Sequence, residues 1–186
     1  MLHLASSSPR RREILESLGL EFTVASVDVE EVLEAGESAE HMVLRLAMAK
    51  AAAAEVEATR VVIGSDTAVV LGDEVLGKPT DRDDAIAMLL KLSGRRHCVL
   101  TGVAVRGVQG MQTALSSTDV LFREISRDEA LAYWQSGEPC DKAGAYGIQG
   151  LGGVFVAAIS GSYSGVMGLP VFETTQLLQA AGIDIW

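Results

Sequence analysis

Apolar and polar positions change period several times along the chain, and each change predicts an element. Met1–Ala5 is a short, mostly apolar run that reads as a strand. Ser8 then stands where an N-cap belongs and Pro9 at the first helical position. Ile14, Leu15 and Leu18 recur on one face, and Gly19 stops that helix. Glu21–Val27, rich in β-branched and aromatic residues, predicts a second strand, and the acidic stretch Asp28–Glu37 (DVEEVLEAGE) a loop. Ser38 opens a long Ala-rich helix that the pattern carries to about Ala58.

Further along, Arg60–Gly64 has the continuous apolar character of a buried strand and runs into Ser65-Asp66-Thr67, which puts Asp66 at the strand's C-terminal end. Ala68–Leu71 and Glu74–Leu76 flank Gly72-Asp73 as a hairpin. Thr80 or Asp81 caps a helix to Leu92, closed by Ser93-Gly94. Val99–Val105 and Thr113–Phe122 predict two long strands around Gly107–Gly110. Ser126 and Glu129 form a capping box opening a helix to Ser136. After the Gly-dense stretch Asp141–Gly153 come a strand at Val154–Ile159 and a last helix at Leu169–Ala181. Helices and strands alternate without a clean βαβ repeat, which predicts a mixed α/β sheet, and the length allows one or two modest domains. A second, smaller lobe has room only in the middle section, roughly residues 70–135.

Composition narrows the class. The 186 residues are 48% apolar, with 19 Gly and 4 Pro, as in globular chains. The balance of 15 Lys and Arg against 25 Asp and Glu gives a net charge of −10, which argues against nucleic-acid binding, where basic surface supplies most of the affinity. Cys98 and Cys140 form no CxxC or zinc pattern and read as free thiols in a reducing compartment. The N-terminal apolar run is followed, not preceded, by charge, unlike a signal peptide, and the mostly apolar run at Leu151–Ile159 is far too short to span a membrane. These features predict a soluble, cytoplasmic protein without membrane contact.

Against that acidic background, Arg10, Arg11 and Arg12 crowd the start of the first predicted helix. A helix N-terminus carries partial positive charge and disfavours cations. Two readings compete: solvated arginines pairing with Glu13 and Glu16 at helical spacing, or an anion site in which a phosphate turns the misplaced charges into a gain. Asp66 at a strand end is either a turn cap or a ligand-binding group. Lys78, beyond the hairpin, returns toward the same region or lies on the surface. Lys50 stands among small residues (Ala47, Met48, Ala49, Ala51) and points at a ligand or snorkels to water. Glu30, Glu31 and Glu34 offer hard oxygen donors for a divalent cation, or are solvated. In DKAGAYGIQG the glycines would let backbone approach a flat ligand, and the Gln149 carboxamide can both donate to and accept from a base edge.

Six segments, LASSSPRR, GSDT, GKPTD, LSGRRHCVLTGVAV, DKAGAYGIQG and GSYSGVMGLP, together resemble the Maf family of nucleoside triphosphate pyrophosphatases over essentially the whole chain. The resemblance implies a single domain over residues 1–186, an α/β fold with an elongated, twisted mixed sheet flanked by helices and two lobes around a deep cleft, similar to the inosine triphosphate pyrophosphatases. It implies hydrolysis between the α- and β-phosphates with a divalent cation, Mg²⁺, Mn²⁺ or Co²⁺. By the same resemblance Ser6 and Arg11 hold phosphate oxygens, Lys50 and Lys78 neutralise the triphosphate, and Asp66 is the proton acceptor. Asp66 and Glu31 lie at the metal, with Glu30 an alternative to Glu31. Arg10, Thr67 and Gln149 match the branch acting on dTTP and UTP, from which Ser65 departs slightly, since Ala is common there. The rivals are a 7-methyl-GTP or ITP/XTP pyrophosphatase and a non-catalytic regulator of septum formation. A homodimer stays open.

Overall fold

The computed structural model describes residues 1–57 and 59–186. Its sheet is organised by strands whose faces are buried on both sides. β1 (Leu2–Ala5) is buried at all four positions. It pairs in parallel with β2 (Phe22–Ala25) on one side and with β3 (Val61–Leu71) on the other. Continuous apolar runs of this kind suit parallel strands covered on both faces. β4 (Glu74–Leu76) folds back antiparallel on β3. β5 (Arg96–Gly107), β6 (Gly110–Phe122) and β7 (Val156–Ser160) complete the order β2-β1-β3-β5-β6-β7, with β6 and β7 antiparallel. The result is the expected mixed sheet with flanking helices.

The helices begin where their caps predict. α1 (Pro9–Ser17) starts after Ser8, although no side-chain bond caps it. α2 (Ala39–Ala53) is capped by Ser38, which accepts from the His41 amide. α3 (Arg82–Leu92) is capped by Asp81, and α4 (Arg127–Gln135) by the complete Ser126/Glu129 capping box. Gly19 takes φ +70°, the left-handed conformation that lets the chain turn off α1.

Beyond shifts of two or three residues at the ends of β2, β5 and β6, the pattern is departed from in these places. α2 stops at Ala53, and Ala58, its expected end, lies outside the described residues. The cause is distant in sequence: Arg106 donates to the Ala52 and Ala54 carbonyls (3.0 Å each), satisfying the acceptors at the helix end. β3 does not end at the Ser-Asp-Thr triplet but runs unbroken to Leu71, so Asp66 sits mid-strand. Leu151–Phe155 is a 3₁₀ turn, which delays the last strand to Val156. A short helix, α5 (Tyr163–Met167), precedes α6 (Val171–Ala180).

The chain divides into two compact units. One comprises Met1–Thr67, Thr101–Ser116 and Gly168–Trp186. A core of small residues runs through it: Ala5, Ala47, Ala51, Val62 and Ala104. Two glycines set the packing of α2 there. A Cβ on Gly64 would run into the main chain at Ala47 and Ala51, and one on Gly102 into the main chain at Val43. The helix therefore rests directly on strand backbone, as only glycine permits. The other unit comprises Ala68–Leu100 and Ser117–Met167. Its core is of larger side chains, among them Leu89, Leu92, Val120, Phe122, Tyr146 and Phe155.

Candidate active site

The turn after β1 folds around Ser6. This residue is buried, and its hydroxyl accepts from the Ser8 amide at 3.2 Å and from Arg11 Nη1 at 3.1 Å. Arg11 turns inward from α1. Its Nε donates to the Gly168 carbonyl at 2.8 Å and Nη2 to Thr67 Oγ1 at 3.4 Å. Burial pulls the guanidinium below its usual pKa, with Asp66 opposing. These bonds engage three of the five N–H donors an arginine carries. The crowded arginines therefore separate by role. Arg12 pairs with Glu16 at 3.0 Å on the exposed face, as simple helical spacing suggests, and Arg10 is half-buried. Arg11 is the one seen to donate to Ser6 and Thr67.

A second group forms where α2 crosses β3. Lys50 projects from the buried face of α2, and its Nζ lies 2.6 Å from Asp66 Oδ1 and 2.5 Å from Glu31 Oε1. Lys50 and Asp66 are both 7% exposed, so the lysine does not snorkel to water. Glu31 is the acidic-loop carboxylate that reaches this lysine, and its side chain stays 42% exposed. Burial raises the Asp66 pKa above the ordinary carboxylate value. Lys50 and then Arg11 pull the other way, and Glu31 adds to the rise.

The neighbours of Asp66 explain why the strand continues through a polar triplet. Ser65, fully buried, shares its hydroxyl between the Gly102 and Gly168 carbonyls at 2.9 Å each. Thr67 Oγ1 lies 3.0 Å from Thr101 Oγ1. Each polar group is satisfied within the fold, so nothing forces the strand to end. Gly168 thus receives both Arg11 and Ser65 at one carbonyl oxygen, and it takes φ +112° to do so. These bonds tie Ser6, Arg11, Thr67 and Ser65 to one another, and Asp66, between Ser65 and Thr67 in sequence, joins them to Lys50, feeling the charges of both Lys50 and Arg11.

Lys78 and Gln149 belong to the other unit. Lys78 is exposed, between β4 and α3. Gln149 is exposed in a tight turn closed by the Gly150 amide on the Gly147 carbonyl at 3.2 Å. The glycine-rich stretch is otherwise a folded piece of this unit's core. Tyr146 is buried, its hydroxyl 2.8 Å from His97 Nε2 and its ring edge-on to Phe122. Burial raises the Tyr146 pKa and lowers that of His97 to about 4, so both stay neutral near pH 7.

One carboxylate beside this turn has no forewarning in the sequence. The Glu138 carboxylate accepts from the Tyr133 hydroxyl (2.7 Å), the Leu151 amide (2.9 Å) and the Gly152 amide (3.1 Å). A glutamate after a Ser-Gly pair carries no motif that signals this; the glycines it holds lie well downstream.

The family model described as Maf-like protein matches residues 1–181. A dTTP/UTP pyrophosphatase of Saccharophagus degradans is 54% identical, covering 100% of this chain and 90% of the relative. A protein of the same name from Vibrio cholerae is 56% identical over 95% of this chain and 96% of its own. Among solved structures, a dITP/XTP pyrophosphatase of Mycobacterium abscessus is 20% identical over 67% of this chain and 74% of its own, with a TM-score of 0.43. Given a family match over nearly every residue and relatives more than half identical from end to end, the chain belongs to the Maf family.

Proposed function

We propose that this chain hydrolyses dTTP and UTP to the nucleoside monophosphate and pyrophosphate. The observation that carries the reading is the full-length identity to relatives of that name, to which the hydrogen-bonded groups around Arg11 and Asp66 add a candidate site. In this reading Ser6 and Arg11 hold phosphate oxygens, and the guanidinium fork suits that task. Asp66, whose pKa burial has raised, accepts the proton of a water that attacks the α-phosphorus. The bond from that phosphorus to the bridging oxygen breaks, and pyrophosphate leaves with its charge balanced by Lys50 and Lys78.

Asp66 and Glu31 would hold a divalent cation such as Mg²⁺, Mn²⁺ or Co²⁺. Both carboxylates converge on Lys50 Nζ, at 2.6 and 2.5 Å, and two convergent carboxylates suit a cation that also binds substrate phosphates. When bound, the cation supplies charge neutralisation and polarisation at the phosphates.

Base choice falls to Arg10, Thr67 and Gln149. The carboxamide of Gln149 matches the O4 and N3–H edge that uracil and thymine share. A guanine or adenine ring leaves those polar groups unpaired. Net charge is −10, and among the described residues no helix is long and apolar enough to cross a membrane. Free thiols at Cys98 and Cys140 agree with a cytoplasmic setting.

The test is kcat/KM for dTTP, UTP, CTP, dATP, ITP and 7-methyl-GTP, read as pyrophosphate release. dTTP and UTP should lead. A lead for a purine triphosphate would overturn the substrate assignment and leave the family intact.

A further inference from the structure

We infer that Glu138 is a positioning residue for base selection: its carboxylate, joined to the Tyr133 hydroxyl, fixes the turn that presents Gln149. The inference rests on the reading of Gln149 as the base-contacting residue, and it adds residues that touch no substrate themselves.

The geometry is a clamp on both sides of one turn. The turn runs from Gly147 to Gly150 and has Gln149 exposed near its tip. On its entry side the Gly147 amide donates to Tyr133 Oη at 3.0 Å. On its exit side the Leu151 and Gly152 amides donate to the two Glu138 oxygens at 2.9 and 3.1 Å. The Tyr133 hydroxyl closes the circuit by donating to Glu138 Oε1 at 2.7 Å. Tyr133 is buried on α4, and Gly137, at φ +77°, lets the chain leave α4 sharply enough to bring Glu138 back beneath the turn. A backbone segment held at its entry by a hydroxyl and at its exit by charge-assisted bonds to a carboxylate has few other conformations to occupy.

The glycines take on a different meaning in this light. A Cβ on Gly150 would run into the Glu138 carboxylate, and one on Gly147 would meet the Lys142 stem at 2.9 Å and Glu138 Oε1 at 3.1 Å. The missing side chain of Gly150 makes room for Glu138, and that of Gly147 for Lys142 and Glu138 together. Burial opposes ionisation of Glu138, but the bonds from Tyr133, Gly152 and Leu151 together hold it below the ordinary carboxylate pKa, so the clamp is charged at pH 7.

UTP and CTP differ only at the base edge that a carboxamide reads, so their kcat/KM ratio reports the orientation of Gln149. The ratio is to be measured for wild type, Tyr133→Phe, Glu138→Gln and Gln149→Ala, with thermal unfolding alongside. The expected result is a fall in the UTP preference of about tenfold in Tyr133→Phe and Glu138→Gln, approaching that of Gln149→Ala, since small misplacements of a contact group are costly. The loss should appear mainly as a raised KM for UTP. Tyr133→Phe keeps the ring in the core and serves if Glu138→Gln does not fold. Equal losses on UTP and CTP, or an unchanged ratio, in variants that fold would overturn the positioning role while Gln149→Ala still lowers the ratio. If Gln149→Ala leaves the ratio intact, the base-reading assignment falls, and this inference with it.

Discussion

Lys50 Nζ stands 2.6 Å from Asp66 Oδ1, and the two charged groups are buried together. Removing two charges from water is costly, and their attraction repays the cost only while both are present. The pair is therefore asymmetric under mutation. Lys50→Met strands an ionised Asp66 beside Glu31 and should cost about 3 kcal/mol or more of stability. Adding Asp66→Asn to Lys50→Met should recover part of that loss. Urea unfolding of the single and double variants measures the coupling, and strictly additive costs would show that the pair does not act as a unit.

The same pair gives a pH dependence with a definite sign. Burial raises the Asp66 pKa, so over the interval between its unfolded and folded values the native state binds more protons than the unfolded chain. Asp66 thus contributes stability that is full below the unfolded pKa and is lost as pH rises through the folded one. Proton acceptance needs the ionised form, so kcat/KM should rise over the same interval, above the usual carboxylate range. Lys50→Met should move that rise to higher pH. A pH–rate profile checks this, and an acid limb at the ordinary carboxylate value in both proteins would contradict it.

Lys50 meets Asp66 because α2 lies directly on strand backbone at Gly64 and Gly102. Gly64→Ala should force the helix outward, costing about 1–3 kcal/mol by overpacking and lowering activity more than stability alone explains. Gly77→Ala is the control: a Cβ there meets nothing within 4 Å. Thermal unfolding and kcat/KM for both variants decide, and equal behaviour would remove the close-approach argument.

Arg11 and Lys78 should separate two kinds of loss. Each alanine variant should raise KM and lower kcat, together about 1.5–3 kcal/mol in kcat/KM, the range for bonds to charged groups. Arg11→Ala also breaks the bonds to Ser6, Gly168 and Thr67, so its melting temperature should fall. Lys78 is exposed, and its variant should melt close to wild type. Normal dTTP kinetics in both would place the phosphates elsewhere.

Much of this architecture is written locally. Ser38, Asp81 and the Ser126/Glu129 box announce three helices because a cap acts within its own turn, and the apolar runs announce the sheet. Less legible are features whose partners lie far along the chain. The Ser65-Asp66-Thr67 triplet reads as a strand end until Gly102, Lys50 and Thr101 are seen to satisfy it. The end of α2 depends on Arg106, and Gly147 and Gly150 on Glu138. The roles expected of Ser6, Arg11, Lys50 and Glu31 came from motif resemblance; spacing alone left solvated alternatives for the charged members of that group. Tyr146, set between glycines in the most ligand-like stretch, is a core residue, because His97 and Phe122 reach it from elements remote in sequence.

The most direct test of the catalytic assignment is pyrophosphate release from dTTP by wild-type protein and by Asp66→Asn, with added Mg²⁺ and circular dichroism to verify folding. Wild type should yield one pyrophosphate per thymidine monophosphate and no orthophosphate. Folded Asp66→Asn should yield almost none, since its side chain can neither accept the proton nor carry the charge that Lys50 faces. Orthophosphate as the first product, or near-normal pyrophosphate release by the folded variant, would contradict the role given to Asp66.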